Sequence, residues 1–164
     1  MNVVFAPHAD DELIGCYEVL NCAEQCKVIF PTTKMSKKRL HEASQLKDFL
    51  ITVTSYQDIK SIDEIISEIR VDNPDTTFYF PDPYWELHPE HKQLGSVGYI
   101  LWKNLGLDII FYSTNMNTPY LHELNEYDKT KKENLLNAVY PSQSDLWKYE
   151  KKYIFFEGRI KYLR

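Results

Sequence analysis

Two short stretches of the chain place histidines and carboxylates at a spacing that can bind a metal ion. Residues 7–12 read Pro-His-Ala-Asp-Asp-Glu, and residues 88–91 read His-Pro-Glu-His. Imidazole and carboxylate are both good zinc ligands, and a His and an Asp three residues apart, such as His8 and Asp11, can converge on one cation. Three of the five histidines of the chain lie in these two stretches. The pairing predicts a metal site.

Each stretch also has a simpler interpretation. Asp10 or Asp11 can cap a helix, and acidic residues in a first turn suit the helix dipole. That explains one or two acids but leaves His8 and the second aspartate without a partner. His88 and His91 would then be ordinary surface histidines. Because the two stretches occur together, we favour the metal site.

Both stretches lie where a predicted strand turns into a predicted helix. The apolar residues 3–5 precede a proline, and apolar residues recur at helical spacing between 13 and 20. The aromatic residues 78–80 are likewise closed by prolines and lead into the apolar stretch 94–105. Ligands of open α/β sheets usually bind at the carboxyl ends of strands. We therefore expect both turns at one edge of one sheet.

Strand-like and helical segments alternate along the rest of the chain. Further strands are predicted at 27–30, 51–54, 76–80, 108–112 and 153–157. Further helices are predicted at 39–50, 59–71 and 93–104, and in the Lys/Glu-rich stretch before Tyr140. The alternation predicts an α/β fold: a Rossmann-like three-layer sandwich in which helices cover both faces of a mostly parallel sheet. With no linker or repeat, residues 1–164 are expected to form a single domain.

Composition narrows the class of protein. The 164 residues, 43% of them hydrophobic, suit one globular domain. A net charge of −5 gives no general footprint for nucleic acid. No apolar run reaches the length of a membrane-spanning helix and no signal peptide precedes the first strand, so stable membrane insertion is not expected and a cytoplasmic location is. Cys16, Cys22 and Cys26 are expected to be reduced thiols. Association into homo-oligomers is left open.

The two stretches resemble the signatures of a known family. Residues 7–12 resemble the Pro/Ala-His-Pro-Asp-Asp-Glu signature of the GlcNAc-phosphatidylinositol de-N-acetylase family, also called PIG-L or LmbE-like. Residues 88–91 resemble its His-Pro-Asp-His signature, with Glu90 in place of the aspartate. Arg39 with Glu42, and Tyr-Pro-Ser-Gln at 140–143, resemble two further family elements. The loop at 32–36 lacks the glycines that the family often has there.

The resemblance implies a zinc-dependent N-deacetylase. Such an enzyme hydrolyses the acetamide of an N-acetylglucosamine-containing substrate, a small molecule, to acetate and a free amine. The implied metal ligands are His8, Asp11 and His91, holding Zn²⁺ or another divalent transition metal.

The resemblance also implies the catalytic and substrate-binding residues. Asp10 is the implied proton-transferring residue, because two adjacent aspartates do not easily bind one metal. His88 is the implied second catalytic residue, which stabilises the developing oxyanion. Arg39 is the implied substrate-binding residue, holding a phosphate or hydroxyls through its fork of donors.

Two other functions are kept as alternatives. Lys34, Lys37, Lys38 and Arg39 place positive charge at the start of a helix, which is either a solvated turn or a site for an anionic group. The second interpretation suits a metal-dependent amidase acting on another small amide such as a nucleotide-linked one. The second alternative is a non-catalytic sugar- or metal-binding module.

Some roles stay open at this point. Glu12 either supports a metal ligand or is simply a favourable first-turn acid. Tyr84 and Trp85 either stack on a sugar or cover the edge of the core. Residues 140–143 either belong to the active site or form an ordinary helix end.

Overall fold

The computed structural model describes residues 1–22, 25–31, 36–49 and 61–162. Its strands are β1 (Asn2–Phe5), β2 (Cys26–Ile29), β3 (Thr77–Pro81), β4 (Ile109–Ser113), β5 (Leu121–Glu123) and β6 (Phe156–Ile160). Its helices are α1 (Asp11–Leu20), α2 (Lys37–Ser44), α3 (Leu46–Phe49), α4 (Ile62–Asp72), α5 (Pro89–Leu105), α6 (Glu126–Val139), α7 (Ser144–Tyr149) and α8 (Lys152–Phe155), with a 3₁₀ turn at Pro141–Gln143. The strand predicted at 51–54 lies outside the described residues.

The six strands form one mixed sheet in the order β2-β1-β3-β4-β6-β5. The pairings β1–β2, β1–β3 and β3–β4 are parallel, whereas β4–β6 and β5–β6 are antiparallel. The α/β class is confirmed, but the prediction of a mostly parallel sheet is only partly so. Lys152 and Tyr153 line the same pocket as His88, so the chain enters β6 from the edge at which β3 ends. A strand that starts at this edge runs antiparallel to β4.

The prediction of a final strand at 153–157 is partly wrong. Residues 152–155 form α8, and the strand begins at Phe156. A short apolar run fits a buried helical turn as well as a strand, and periodicity alone does not separate the two. The helix predicted from residue 39 to 50 is divided at Gln45 into α2 and α3, with residue 50 outside the described range. Strand β5 carries one apolar residue in three and gave no strand pattern.

Strand residues alternate between two apolar clusters. Val4 of β1 belongs to one cluster with Leu13 of α1 and Leu136 of α6. Val3 and Phe5 belong to a second cluster, which contains residues of α4 and α5. Because β1 is buried on both sides, its sequence is apolar without a polar face. Cys16, Cys22 and Cys26 are free thiols, as predicted. Among the described helices, none has the combination of length and apolar character that crossing a bilayer requires.

The sheet order places the two histidine-bearing turns side by side. β1 and β3 are neighbours and run parallel, with Asn2 opposite Thr77 and Val4 opposite Tyr79. Their carboxyl ends therefore lie at the same edge, as predicted. The chain passes outward from β1 to β2 and then returns to β3, so a change in strand order falls between β1 and β3. Ligands of open α/β sheets bind at such points.

Candidate metal centre

Three side-chain atoms from the two turns converge at this edge. His8 Nδ1 lies 3.1 Å from His91 Nε2, and Asp11 Oδ2 lies 3.2 Å from His8 Nδ1 and 3.1 Å from His91 Nε2. In tetrahedral zinc sites with bonds of about 2.0–2.1 Å, the ligand atoms are roughly 3.3 Å apart. The triangle and its donor types fit a zinc-sized ion, and the structure brings together all three residues predicted as metal ligands.

A second set of ligands is present in the same place. His8, His88 and His91 each offer one ring nitrogen, and these nitrogens lie within 4.8 Å of one another. The ring of His88 stands edge-on to that of His8, with centroids 4.9 Å apart. A group of three histidines in the described part of the chain can therefore hold a metal ion, with or without Asp11.

Carboxylates on the far side of each imidazole orient the two inner histidines. His8 Nε2 lies 2.6 Å from Glu90 Oε2, and His91 Nδ1 lies 3.0 Å from Glu86 Oε2. In the neutral form of each ring, an N–H that donates to the carboxylate leaves His8 Nδ1 and His91 Nε2 as lone-pair acceptors. Both acceptors then face Asp11 Oδ2. Metal-binding histidines in proteins are commonly oriented in this way.

Glu86 is the more deeply embedded of the two orienting carboxylates. Its side chain is 2% exposed, against 34% for that of Glu90. Thr114 Oγ1 donates to Glu86 Oε2 at 3.0 Å, and the Thr114 backbone N–H donates to Oε1. These contacts hold Glu86 in place behind the ring of His91.

Charge at the triangle is balanced by protons when no metal ion is bound. Burial lowers the pKa of His91, but the Asp11 and Glu86 carboxylates outweigh burial and raise it to about 10. Burial would raise the pKa of Asp11, yet His91 and His8 lower it well below its usual range. Without a metal ion, these pKa shifts favour an ionised Asp11 facing a protonated His91. A metal cation would take the place of that proton.

His88 lies at the start of α5 and is exposed. Its Nδ1 accepts the Glu90 backbone N–H at 3.3 Å, which makes it the N-cap of the helix. An accepting Nδ1 leaves the ring proton on Nε2 in the neutral form. That arrangement suits a hydrogen-bond donor better than a ligand that binds through Nε2.

Asp10 lies in a strained turn. Its φ is 120°, a region that residues other than glycine seldom adopt. Its backbone N–H donates to Glu12 Oε2 at 3.0 Å, and its carbonyl accepts from the Ile14 N–H at 2.9 Å. Burial raises the pKa of the Asp10 carboxyl, as does Asp11, while Arg39 opposes the rise. A raised pKa suits a carboxylate that accepts and returns a proton.

Glu12 is fully buried and supports Asp10. Besides accepting the Asp10 N–H, it accepts the hydroxyl proton of Tyr140 at Oε1. Burial raises the pKa of Glu12 to about 7, against the opposing effect of these hydrogen bonds. Its observed partners are the backbone N–H of Asp10 and the hydroxyl of Tyr140, and in the described part of the chain Glu12 makes no hydrogen bond to the side chain of His8, Asp11 or His91.

Arg39 reaches the same turn from α2. Ser36 caps α2 by accepting the Arg39 N–H at 3.3 Å, which sets Arg39 in the first turn of the helix. Arg39 Nη2 donates to Asp10 Oδ1 at 2.8 Å and to the carbonyl of Ala9. The residue predicted to bind substrate therefore contacts the predicted catalytic carboxylate.

The two weaker family elements also meet in space. Glu42 Oε2 accepts the hydroxyl of Ser142 at 2.6 Å, and Glu42 Oε1 accepts the Ser142 backbone N–H at 3.3 Å. With the Tyr140–Glu12 contact, this places the helix end at 140–143 against the turn that follows β1.

A polar pocket of about 440 Å³ opens beside His88. Its lining comes from the loops after β3 and β4 and from the segment before β6: Glu86, Leu87, His88, Thr114, Asn115, Met116, Asn117, Glu150, Lys152 and Tyr153. Neither Tyr84 nor Trp85 is among them. The ring of Tyr84 makes edge contacts with Tyr99 and Tyr162 at centroid distances of 5.7 and 5.9 Å, which fits the core-edge interpretation.

Sequence reasoning missed two residues of the centre. Glu86 lies two residues before His88 in a loop rich in prolines and aromatics, and it belongs to no motif that would single it out. Thr114 follows β4 and gave none. Comparison of the chain with family models, with curated proteins and with solved structures gives no match in any of the three. The family resemblance therefore stays a prediction.

Proposed function

We propose that the chain is a zinc-dependent N-deacetylase that hydrolyses the acetamide of an N-acetylglucosamine-containing substrate to acetate and free amine. The observation that carries the proposal is the triangle of His8 Nδ1, Asp11 Oδ2 and His91 Nε2, with sides of 3.1–3.2 Å. Three protein ligands and an open position are typical of catalytic zinc sites. Nearby stands Asp10, a buried carboxylate that is not part of the triangle.

His8, Asp11 and His91 would hold the metal, which when bound acts as a Lewis acid and makes water a nucleophile at neutral pH. Asp10 accepts the proton of the attacking water and delivers it to the departing nitrogen. Its raised pKa suits both steps, because the carboxylate takes up a proton readily and can release it again. Arg39 holds the Asp10 carboxylate through Oδ1 and leaves Oδ2 for this proton transfer.

His88 supplies the second catalytic group. With Nδ1 accepting the Glu90 N–H, its Nε2–H is available to donate to the oxygen on which negative charge develops. His88 also lines the polar pocket. The acetamide carbonyl would lie between His88 and the triangle, and the sugar would occupy the pocket.

The pocket supports a hydroxyl-rich substrate. Most of its lining residues carry amide, hydroxyl, carboxylate or amino groups, among them Asn115, Asn117 and Tyr153. Ligand pockets for apolar molecules are lined mainly by hydrophobic side chains. We further infer a Rossmann-like three-layer arrangement for the domain, supported by the alternation of β1 residues between two apolar clusters.

The nucleotide-linked amidase gains no specific support. Of the basic residues that motivated it, Arg39 is engaged with Asp10 and Lys34 lies outside the described residues. A non-catalytic binding module would retain the metal-binding triangle but has no need for the strained, buried Asp10.

The proposal is tested by measuring release of acetate and of primary amine from N-acetylglucosamine and its simple glycosides. The zinc-loaded protein is compared with the metal-free protein and with nucleotide-linked amides as competing substrates. We expect the zinc-loaded protein to release equal amounts of acetate and amine from the sugars, and the metal-free protein to release neither. Release only from the nucleotide-linked amides would support the amidase instead.

A further inference from the structure

Helix α1 is broken just after the residues that form the metal-binding turn. Cys16 has φ −136° and ψ 25°, which are not helical values. In an unbroken α-helix the N–H of Glu18 would donate to the carbonyl of Ile14. The break lies between these two groups, within a buried part of the molecule where both need hydrogen-bond partners.

A buried ion pair supplies both partners. Lys132 Nζ of α6 donates to the Ile14 carbonyl at 2.7 Å, and Glu157 Oε2 of β6 accepts the Glu18 N–H at 3.3 Å. Lys132 Nζ lies 3.4 Å from Glu157 Oε1, and both side chains are 0% exposed. The pair thus links the two sides of the break in α1 to α6 and β6.

The Lys132–Glu157 pair contacts the residue that closes the turn carrying Asp10 and Asp11. The Ile14 N–H donates to the Asp10 carbonyl at 2.9 Å, closing the turn that carries Asp11 and Glu12. The carbonyl of the same Ile14 is held by Lys132. On the next residue, a Cβ on Gly15 would lie 2.4 Å from Tyr112 Cδ2, so α1 lies too close to β4 to shift inward. A shift of Lys132 would therefore change the positions of Asp10 and Asp11.

A buried ion pair seldom stabilises a fold more than an apolar pair of equal volume does, because removing both charges from water costs free energy. A geometric role explains the pair better. We propose that Lys132 and Glu157 are positioning residues, which set the broken α1 so that Asp11 faces His8 and His91 and Asp10 keeps its strained backbone. The inference rests on the metal site of the proposed function but not on its substrate.

The test replaces both charges together, so that neither is left buried alone. Lys132→Met/Glu157→Met is compared with Lys129→Met/Glu126→Met, a control ion pair within α6 whose carboxylate is exposed. Lys129 is also buried and pairs with Glu126 at 2.6 Å, and its ion-pair partners among the described residues, Glu123 and Glu126, lie on β5 and α6 rather than on α1. The readouts are the dissociation constant for Co²⁺ and the visible absorption spectrum of bound Co²⁺, which reports ligand geometry.

We expect the Lys132/Glu157 variant to bind Co²⁺ at least about tenfold more weakly, with an altered spectrum, as found when groups that orient metal ligands are removed. The Lys129/Glu126 variant should match the wild type in both. A folded Lys132/Glu157 variant with wild-type affinity and spectrum would overturn the inference.

Hydrogen exchange of the wild type gives a second test that does not depend on a variant folding. Coupling between two sites is reciprocal, so bound Zn²⁺ should slow exchange of the Glu18 amide more than that of amides near Lys129. Equal slowing at both places would overturn the inference. A wild type that binds metal but releases no acetate contradicts only the proposed function, whereas one that binds no metal contradicts both.

Discussion

Arg39 Nη2 lies 2.8 Å from Asp10 Oδ1, so the arginine of α2 is bonded to the carboxylate proposed to move the proton. The same nitrogen also donates to the Ala9 carbonyl. Arg39 therefore holds both the backbone and the side chain of the strained turn. Its role in binding substrate, expected from the resemblance, stays a prediction beside this observed contact.

Arg39→Met should lower kcat more than it raises KM. A hydrogen bond between charged groups contributes about 1.5–3 kcal/mol, which corresponds to roughly a tenfold to hundredfold loss of rate. Steady-state kinetics on the N-acetylated substrate measure the effect, with the exposed neighbour Lys38→Met as control. A rise in KM at unchanged kcat would show that Arg39 contributes only to binding the substrate.

Glu86→Gln should weaken metal binding more than Glu90→Gln does. Both carboxylates orient a histidine, but Glu86 is buried and held by Thr114, whereas Glu90 is partly exposed and water can replace it. We expect about a 10–100-fold loss of zinc affinity for Glu86→Gln. Competition with a chromophoric chelator measures both variants, and an equal loss in the two would contradict the ranking.

His88→Ala separates the two ligand sets. If His8, Asp11 and His91 hold the metal, this variant keeps its zinc and loses about 10²–10³-fold in kcat, the usual cost of removing a donor to an oxyanion. Asp11→Ala should then lose the metal. Metal analysis after dialysis distinguishes the cases: zinc lost from His88→Ala but kept by Asp11→Ala would assign the metal to the three histidines.

Zinc affinity should rise with pH. His91 must be neutral to bind a metal, and its pKa in the metal-free protein is raised to about 10. Below that pH the metal displaces a proton from His91, so apparent affinity should increase up to about tenfold per pH unit between pH 7 and 9. Calorimetry in buffers of different ionisation enthalpy counts the proton released. Binding without proton release at pH 7.5 would contradict the raised pKa.

Local patterns predicted most of the fold that positions the site. Buried strands ended by proline and followed by helical spacing located β1, β3 and the turns after them, because chain geometry near these residues is set by their neighbours in sequence. The antiparallel β6 was not foreseen. Its direction depends on the edge to which α6–α8 return the chain, and that is decided by packing between distant segments.

The site was predictable where one short stretch carries several reactive groups. His8, Asp11 and His91 lie in two such stretches, the family resemblance selected them as metal ligands, and their side chains meet in the structure. Glu86 and Thr114 contact the site from separate elements, as single polar residues that give no pattern of their own. Their roles arise only when distant parts of the chain come together.

The most direct test of the account compares wild type with Asp10→Asn for bound zinc and for acetate release from N-acetylglucosamine. Asp10 is outside the metal triangle, and asparagine keeps its hydrogen-bonding shape but cannot take up a proton at neutral pH. We predict one zinc per chain in both proteins, acetate release by the wild type, and a rate at least about 100-fold lower in the variant. Full activity in Asp10→Asn, or a wild type that binds no zinc, would contradict the account.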